Sequence, residues 1–200
     1  GEMGGVIFFK HYSLVSGRMH YSDYADSLFD SICDEINERT PVDFASGLCG
    51  IGWGIEYLIQ NEFWTGNTDD ILEEIDNKVL AKNILMEDIT LETGLKGLLY
   101  YLLARIESFE RYEIFQRISV GYLKSIECLI EKKQIHKDLN PSLMERLKRC
   151  INKCVDYNIK PIIEDTFFDN ICYLNCPVQH YNLGIKNGLT GIALKNIITV

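Results

Sequence analysis

Gly47-Leu48-Cys49-Gly50-Ile51 opens a run that stays almost wholly apolar through Ile59. The same pattern returns as Gly94-Leu95-Lys96-Gly97-Leu98 and as Gly188-Leu189-Thr190-Gly191-Ile192. The three first glycines are separated by 47 residues and then by twice 47. A related stretch, Gly1-Glu2-Met3-Gly4-Gly5-Val6, begins 46 residues before Gly47. A constant stride of this size marks repeated supersecondary units. One copy is then due near residue 141, where Pro141-Ser142-Leu143-Met144 stands without glycines. Asn140 as N-cap and Pro141 at the first helical position still predict a helix start there.

Each unit reads as a pair of helices. The apolar segments after the glycines (6–9, 51–59, 98–104 and 192–198) predict inner helices buried on most sides. The acid-rich amphipathic segments that follow (21–38, 68–80, 111–132 and 162–174) predict outer helices. In one of them Phe29, Ile32, Cys33 and Ile36 recur at helical spacing among acids. Asn67 and Thr68 ahead of Asp69 and Asp70 suit a capped helix start. Period-2 alternation is rare, so strands are not expected. The expected fold is all-α, one domain over residues 1–200 with a period of about 47 residues and a degenerate repeat over 141–187.

Composition narrows the partners. Twenty Lys and Arg against 29 Asp and Glu leave a net charge of −9, which argues against nucleic acid and against anionic membranes. With 46% hydrophobic and 24% charged residues, the chain has enough apolar material for a packed core. No apolar stretch is long enough to span a bilayer, and the first ten residues make a poor secretory signal. Seven cysteines, an odd number without a scaffold spacing, are expected to be mostly reduced and buried, which favours the cytoplasm.

The glycine motifs resemble those of the lanthionine synthetase C-like family. That resemblance implies repeated helical hairpins wound into an α/α toroid, or a partial arc of one. The family's chemistry closes thioether rings in bacterial precursor peptides, with zinc bound by two cysteines and a histidine. Those ligands stand immediately before the first glycine of late motifs. Here the corresponding dipeptides are Ala45-Ser46, Glu92-Thr93 and Lys186-Asn187, and none supplies a thiolate or imidazole. Cys49 lies inside a motif and reads as a buried filler. Zinc-dependent cyclisation is therefore not expected, and no cofactor is assigned.

The motif residues keep two readings. Gly47, Gly50, Gly94, Gly97, Gly188 and Gly191 either let inner helices pack closely or, with Trp53 and Tyr100, line a ligand cavity. Asp43 and Glu92 precede inner helices and are the candidate catalytic acids, as a pair for glycan or peptide chemistry; the alternative is charges at helix ends. Cys172, Cys176 and His180 at i, i+4 and i+8 form the one low-ranking metal alternative, against which Pro177 interrupts the helix. Cys150 and Cys154 read as a core face. The leading expectation is an accessory or binding protein that holds a peptide or small ligand. The alternatives are a non-zinc enzyme in an acidic cleft and a self-associating structural protein, since an arc leaves terminal faces open to a homo-oligomer.

Overall fold

A computed structural model describes residues 2–81, 88–108, 118–135, 139–154 and 189–198. Among these residues there are nine helices and no strand: α1 (Glu2–Ser16), α2 (His20–Glu35), α3 (Leu48–Gln60), α4 (Thr68–Ile71), α5 (Glu73–Ala81), α6 (Leu95–Glu107), α7 (Val120–Lys133), α8 (Pro141–Ile151) and α9 (Leu189–Ile198). The all-α expectation holds. The chain divides into two compact units, Gly1–Thr40 with Ile162–Val200, and Pro41–Pro161.

In the first unit α1 packs against α2 and α9. It buries Met3, Val6, Ile7, Lys10 and Ser13, a stripe at helical spacing. A left-handed Gly17 (φ 65°) turns the chain into α2. The buried Lys10 ammonium crosses the hairpin to Asp26 at 2.7 Å and the Ser22 hydroxyl at 2.8 Å. Rings cross it too: Phe9 meets Tyr24 edge-on at 4.8 Å, and Tyr12 meets Tyr21 at 4.7 Å. Helix α2 ends at Glu35, short of the expected 38, because Ile36 is extended (ψ 126°). In α9, Leu194 is fully buried, and Gly191 is buried.

The second unit is built on the two inner helices. All of α6 except Lys96 is buried, as is most of α3, and the two pack together. The contact is close because Gly52 has no Cβ: one would overlap Cε2 of the Tyr101 ring. The outer segment 68–81 is two helices that meet at Leu72. Asn67 caps the first, its Oδ1 accepting from the Asp69 N–H at 3.2 Å. Leu72, Ile75 and Val79 turn inward, each such burial contributing about 1.5–3 kcal/mol. Helix α8 starts as expected: Asn140 Oδ1 accepts from the Ser142 N–H at 2.9 Å, and Pro141 occupies the first turn. It buries Leu143, Leu147, Cys150 and Ile151, then stops, and Lys153 turns left-handed (φ 56°). Cys154 is thereby exposed and shares no core face with Cys150.

One ionic cluster ties the outer segment to both inner helices. The Arg105 side chain on α6 is fully buried. Its Nη2 reaches Asp76 at 2.7 Å and Asp69 at 3.1 Å. Its Nη1 donates to the Thr68 hydroxyl at 3.1 Å and pairs with Glu56 of α3. Tyr101 OH donates to Asp76 at 2.5 Å, and Gln60 donates to Glu56 at 3.0 Å. Burial by itself would lower the Arg105 guanidinium, but hydrogen bonds to Asp76 and the charges of Glu56 and Asp76 outweigh it and raise it. Burial and then the Asp76 charge push the Tyr101 phenol well above its ordinary range.

The described cysteines form no disulfide with one another. Cys49 and Cys150 are buried, whereas Cys33, Cys128 and Cys154 are exposed. Cys172 and Cys176 lie outside the described residues; among the five described, the expectation of burial fails at Cys33, Cys128 and Cys154. Helical spacing puts Cys33 beside the core stripe, but the stripe that packs runs through Ala25 and Ile32.

The half-buried His11 yields a pH prediction. Burial lowers its imidazole from 6.5 to about 4. The fold keeps it neutral while the unfolded chain can charge it. Its contribution is therefore complete above the unfolded value of 6.5 and is lost as pH falls toward about 4. Allowing for solvent screening, the loss is about 1–2 kcal/mol. Thermal melts at pH 4 to 7 should show a shallower acid decline for His11→Gln than for the parent, by that amount.

Candidate functional site

The two motif loops of the second unit are built alike. Gly47 and Gly94 are the residues before α3 and α6, and neither helix start has a side-chain cap. The preceding loop replaces the cap. The Leu48 N–H donates to the Pro41 carbonyl at 2.9 Å, and the Leu95 N–H donates to the Asp88 carbonyl at 3.0 Å. In both cases the acceptor lies seven residues back. A Cβ on Gly47 would overlap the Pro41 oxygen, and one on Gly94 would sit 2.5 Å from the Asp88 oxygen. The second glycines obey the same rule: Gly50 faces the Phe44 carbonyl and Gly97 the Leu91 carbonyl. Each of these four glycines thus seats the carbonyl six residues before it. Packing between inner helices rests on Gly52, two residues past the motif.

The loops also pair with each other. The Phe44 and Ala45 N–H groups both donate to the Glu92 carbonyl at 2.9 Å. Phe44 is buried where the loops meet. Its ring lies 5.9 Å from Trp53 and 6.5 Å from Tyr100, and its Cβ fills the space that a side chain at Gly97 would need. Trp53 stacks on Tyr57 at 5.5 Å. Trp53 and Tyr100, the two cavity candidates, are 2% and 3% exposed, so both belong to this aromatic core.

Polar groups line the loop rim. Asp43 Oδ1 accepts from the Ser46 N–H at 2.8 Å and from its hydroxyl at 3.2 Å. Asp88 accepts from the Thr90 N–H and hydroxyl, both at 2.8 Å, and from the Thr93 hydroxyl. Led by Thr93 and then Thr90, these bonds hold the Asp88 carboxyl below its ordinary range, so it stays ionised. Asp43 and Glu92 are both half-buried, and the loop pairing brings their backbones together. The rim offers carboxylates and hydroxyls, a set that suits hydrogen bonding to a cationic or hydroxyl-bearing ligand. Gly191 sits in α9, in the other unit, while Gly188, Cys172, Cys176 and His180 lie outside the described residues.

The profile of the lanthionine synthetase C-like protein family matches residues 1–195. The chain belongs to that family. No curated protein and no solved structure matches it significantly.

The zinc that the family implies needs thiolate and imidazole donors. The positions directly before the first glycines of the two described motifs are Ser46 and Thr93, with hydroxyls committed to Asp43 and Asp88. Neither hydroxyl is a zinc donor of the expected kind. Cys49 is buried in the first turn of α3, and no group of three His, Cys, Asp or Glu side chains among the described residues is arranged for a metal. The described donor set does not fit zinc.

The glycine geometry predicts opposite outcomes at two sites. Gly50→Ala drives a Cβ into a backbone carbonyl that cannot rotate away, and should cost about 1–3 kcal/mol or more. Gly121→Ala in α7 meets only the Ser119 hydroxyl at 3.7 Å. It should be neutral or stabilising by up to about 1 kcal/mol through helix propensity. Urea denaturation of the two variants measures both.

Proposed function

We propose that this chain is a LanC-like binding or accessory protein that does not carry out zinc-dependent thioether formation. In this reading it holds a peptide during bacterial peptide modification, in the cytoplasm. The observation that carries it is the hydroxyl–carboxylate pairing of Ser46 with Asp43 and of Thr93 with Asp88. Directly before their first glycines these loops offer hydrogen-bonding groups and neither thiolate nor imidazole. The acidic rim and the net charge of −9 favour a ligand segment bearing lysine or arginine.

The pairing of Phe44 and Ala45 with Glu92 favours a second reading. It brings the loops of Asp43 and Glu92 together, as an acid pair acting on a peptide or glycan requires. Self-association remains a third role, decided by sedimentation over a range of concentrations.

Calorimetric titration with a lysine-containing peptide and its lysine-acetylated counterpart separates these readings. Binding should weaken on acetylation, in high salt, and about tenfold in Asp43→Asn/Glu92→Gln. Turnover of a peptide or glycan that disappears in Asp43→Asn would establish the enzyme reading instead. Stoichiometric zinc in the purified protein, measured by elemental analysis, would overturn the non-zinc assignment.

A further inference from the structure

The outer segment Thr68–Ala81 reaches the inner helices through two kinds of contact. Leu72, Ile75 and Val79 supply apolar burial. Thr68, Asp69 and Asp76 supply polar groups to one guanidinium. Apolar spacing of three or four residues recurs at every turn, so it does not distinguish this seating from one displaced by a turn. The carboxylates do. Asp69 and Asp76 are two turns apart and both bond Nη2 of Arg105. A slide by three or four residues in either direction would leave at most one carboxylate, that of Glu73, in the two places that Asp69 and Asp76 now hold. Arg105 would then lose at least one of these two carboxylates inside the core while keeping Glu56 of α3. A buried charge deprived of partners is strongly unfavourable, whereas a complete buried cluster is often no more stable than an apolar replacement of similar volume.

We infer that the Arg105 cluster is a register lock: it selects one seating of α4–α5 on α3 and α6, and contributes specificity more than stability. Tyr101 belongs to the lock, because it bonds Asp76 while its ring rests against Gly52 of α3. The lock therefore fixes the outer segment relative to both motif-bearing helices.

Two variants of the full chain test this by hydrogen exchange resolved to segments. Arg105→Lys keeps the charge and removes the planar fork that engages Asp69 and Asp76 together. The expected result is exchange at least about tenfold faster in residues 68–81, with α6 changed by no more than about twofold. The apolar replacement Glu56→Leu/Asp76→Leu/Tyr101→Phe/Arg105→Met should remain helical and melt no lower than Arg105→Met alone. It should still lose protection selectively in residues 68–81. Parental protection of that segment in either folded variant would overturn the lock, as would a loss spread evenly over α3, α5 and α6. If the apolar replacement does not fold, the lock's replaceability is refuted and Arg105→Lys alone decides the register role.

Discussion

A peptide carbonyl approaches the first turn of a helix as closely as Phe44 approaches Gly50 only where no Cβ intervenes. That constraint organises the second unit. It lets a loop of six residues fold back over the start of α3 and again over the start of α6. It satisfies helix-start N–H groups that have no side-chain cap. It also sets the loops at a depth where Phe44 closes the aromatic core against Trp53 and Tyr100. The cost of the one motif glycine in each first turn, Gly50 in α3 and Gly97 in α6, about 1 kcal/mol against alanine in a helix interior, is offset by this packing.

The inner helices impose a second condition. A helix buried on every side must satisfy each polar side chain it carries. α3 carries Glu56 and Gln60, and α6 carries Arg105 and Glu107. Arg105 and Glu56 answer each other and recruit the outer segment. Glu107 is held by Arg146 of α8, whose Nε lies 3.0 Å from both carboxylate oxygens. Burial and the Glu107 charge push the neighbouring Cys150 thiol up to about 12, so it is an inert core group. α6 is thus bound to α3 and to its outer neighbours by ionic contacts as well as by alkyl packing.

Local features were legible in the sequence. The caps at Asn67 and Asn140 involve residues two apart in the chain, so local chemistry suffices to read them. The inner helices were legible as well, because nearly unbroken apolar runs have few other homes. Arg105 was not read as a core residue, since an arginine in an apolar run gives no sign of its distant partners. Asp69 reads from sequence as a charge serving the helix dipole, and it also bonds a guanidinium from α6. Phe44 lies outside any periodic segment, so its role between the loops had no pattern to announce it. Cys33 and Cys154 show the converse error, in which helical spacing was extended past the side chains that pack.

The sequence by itself determined that the chain is helical, where its repeats begin, and that the first glycines are not preceded by zinc-binding side chains. Those properties depend on residue type and stride alone. Only the tertiary structure decided what the motif glycines touch, which loops pair, and how the buried charges are partnered. Those outcomes join groups that lie 25 to 49 residues apart in the Arg105 cluster. Distance in space, which the order of residues does not state, determines whether such groups meet.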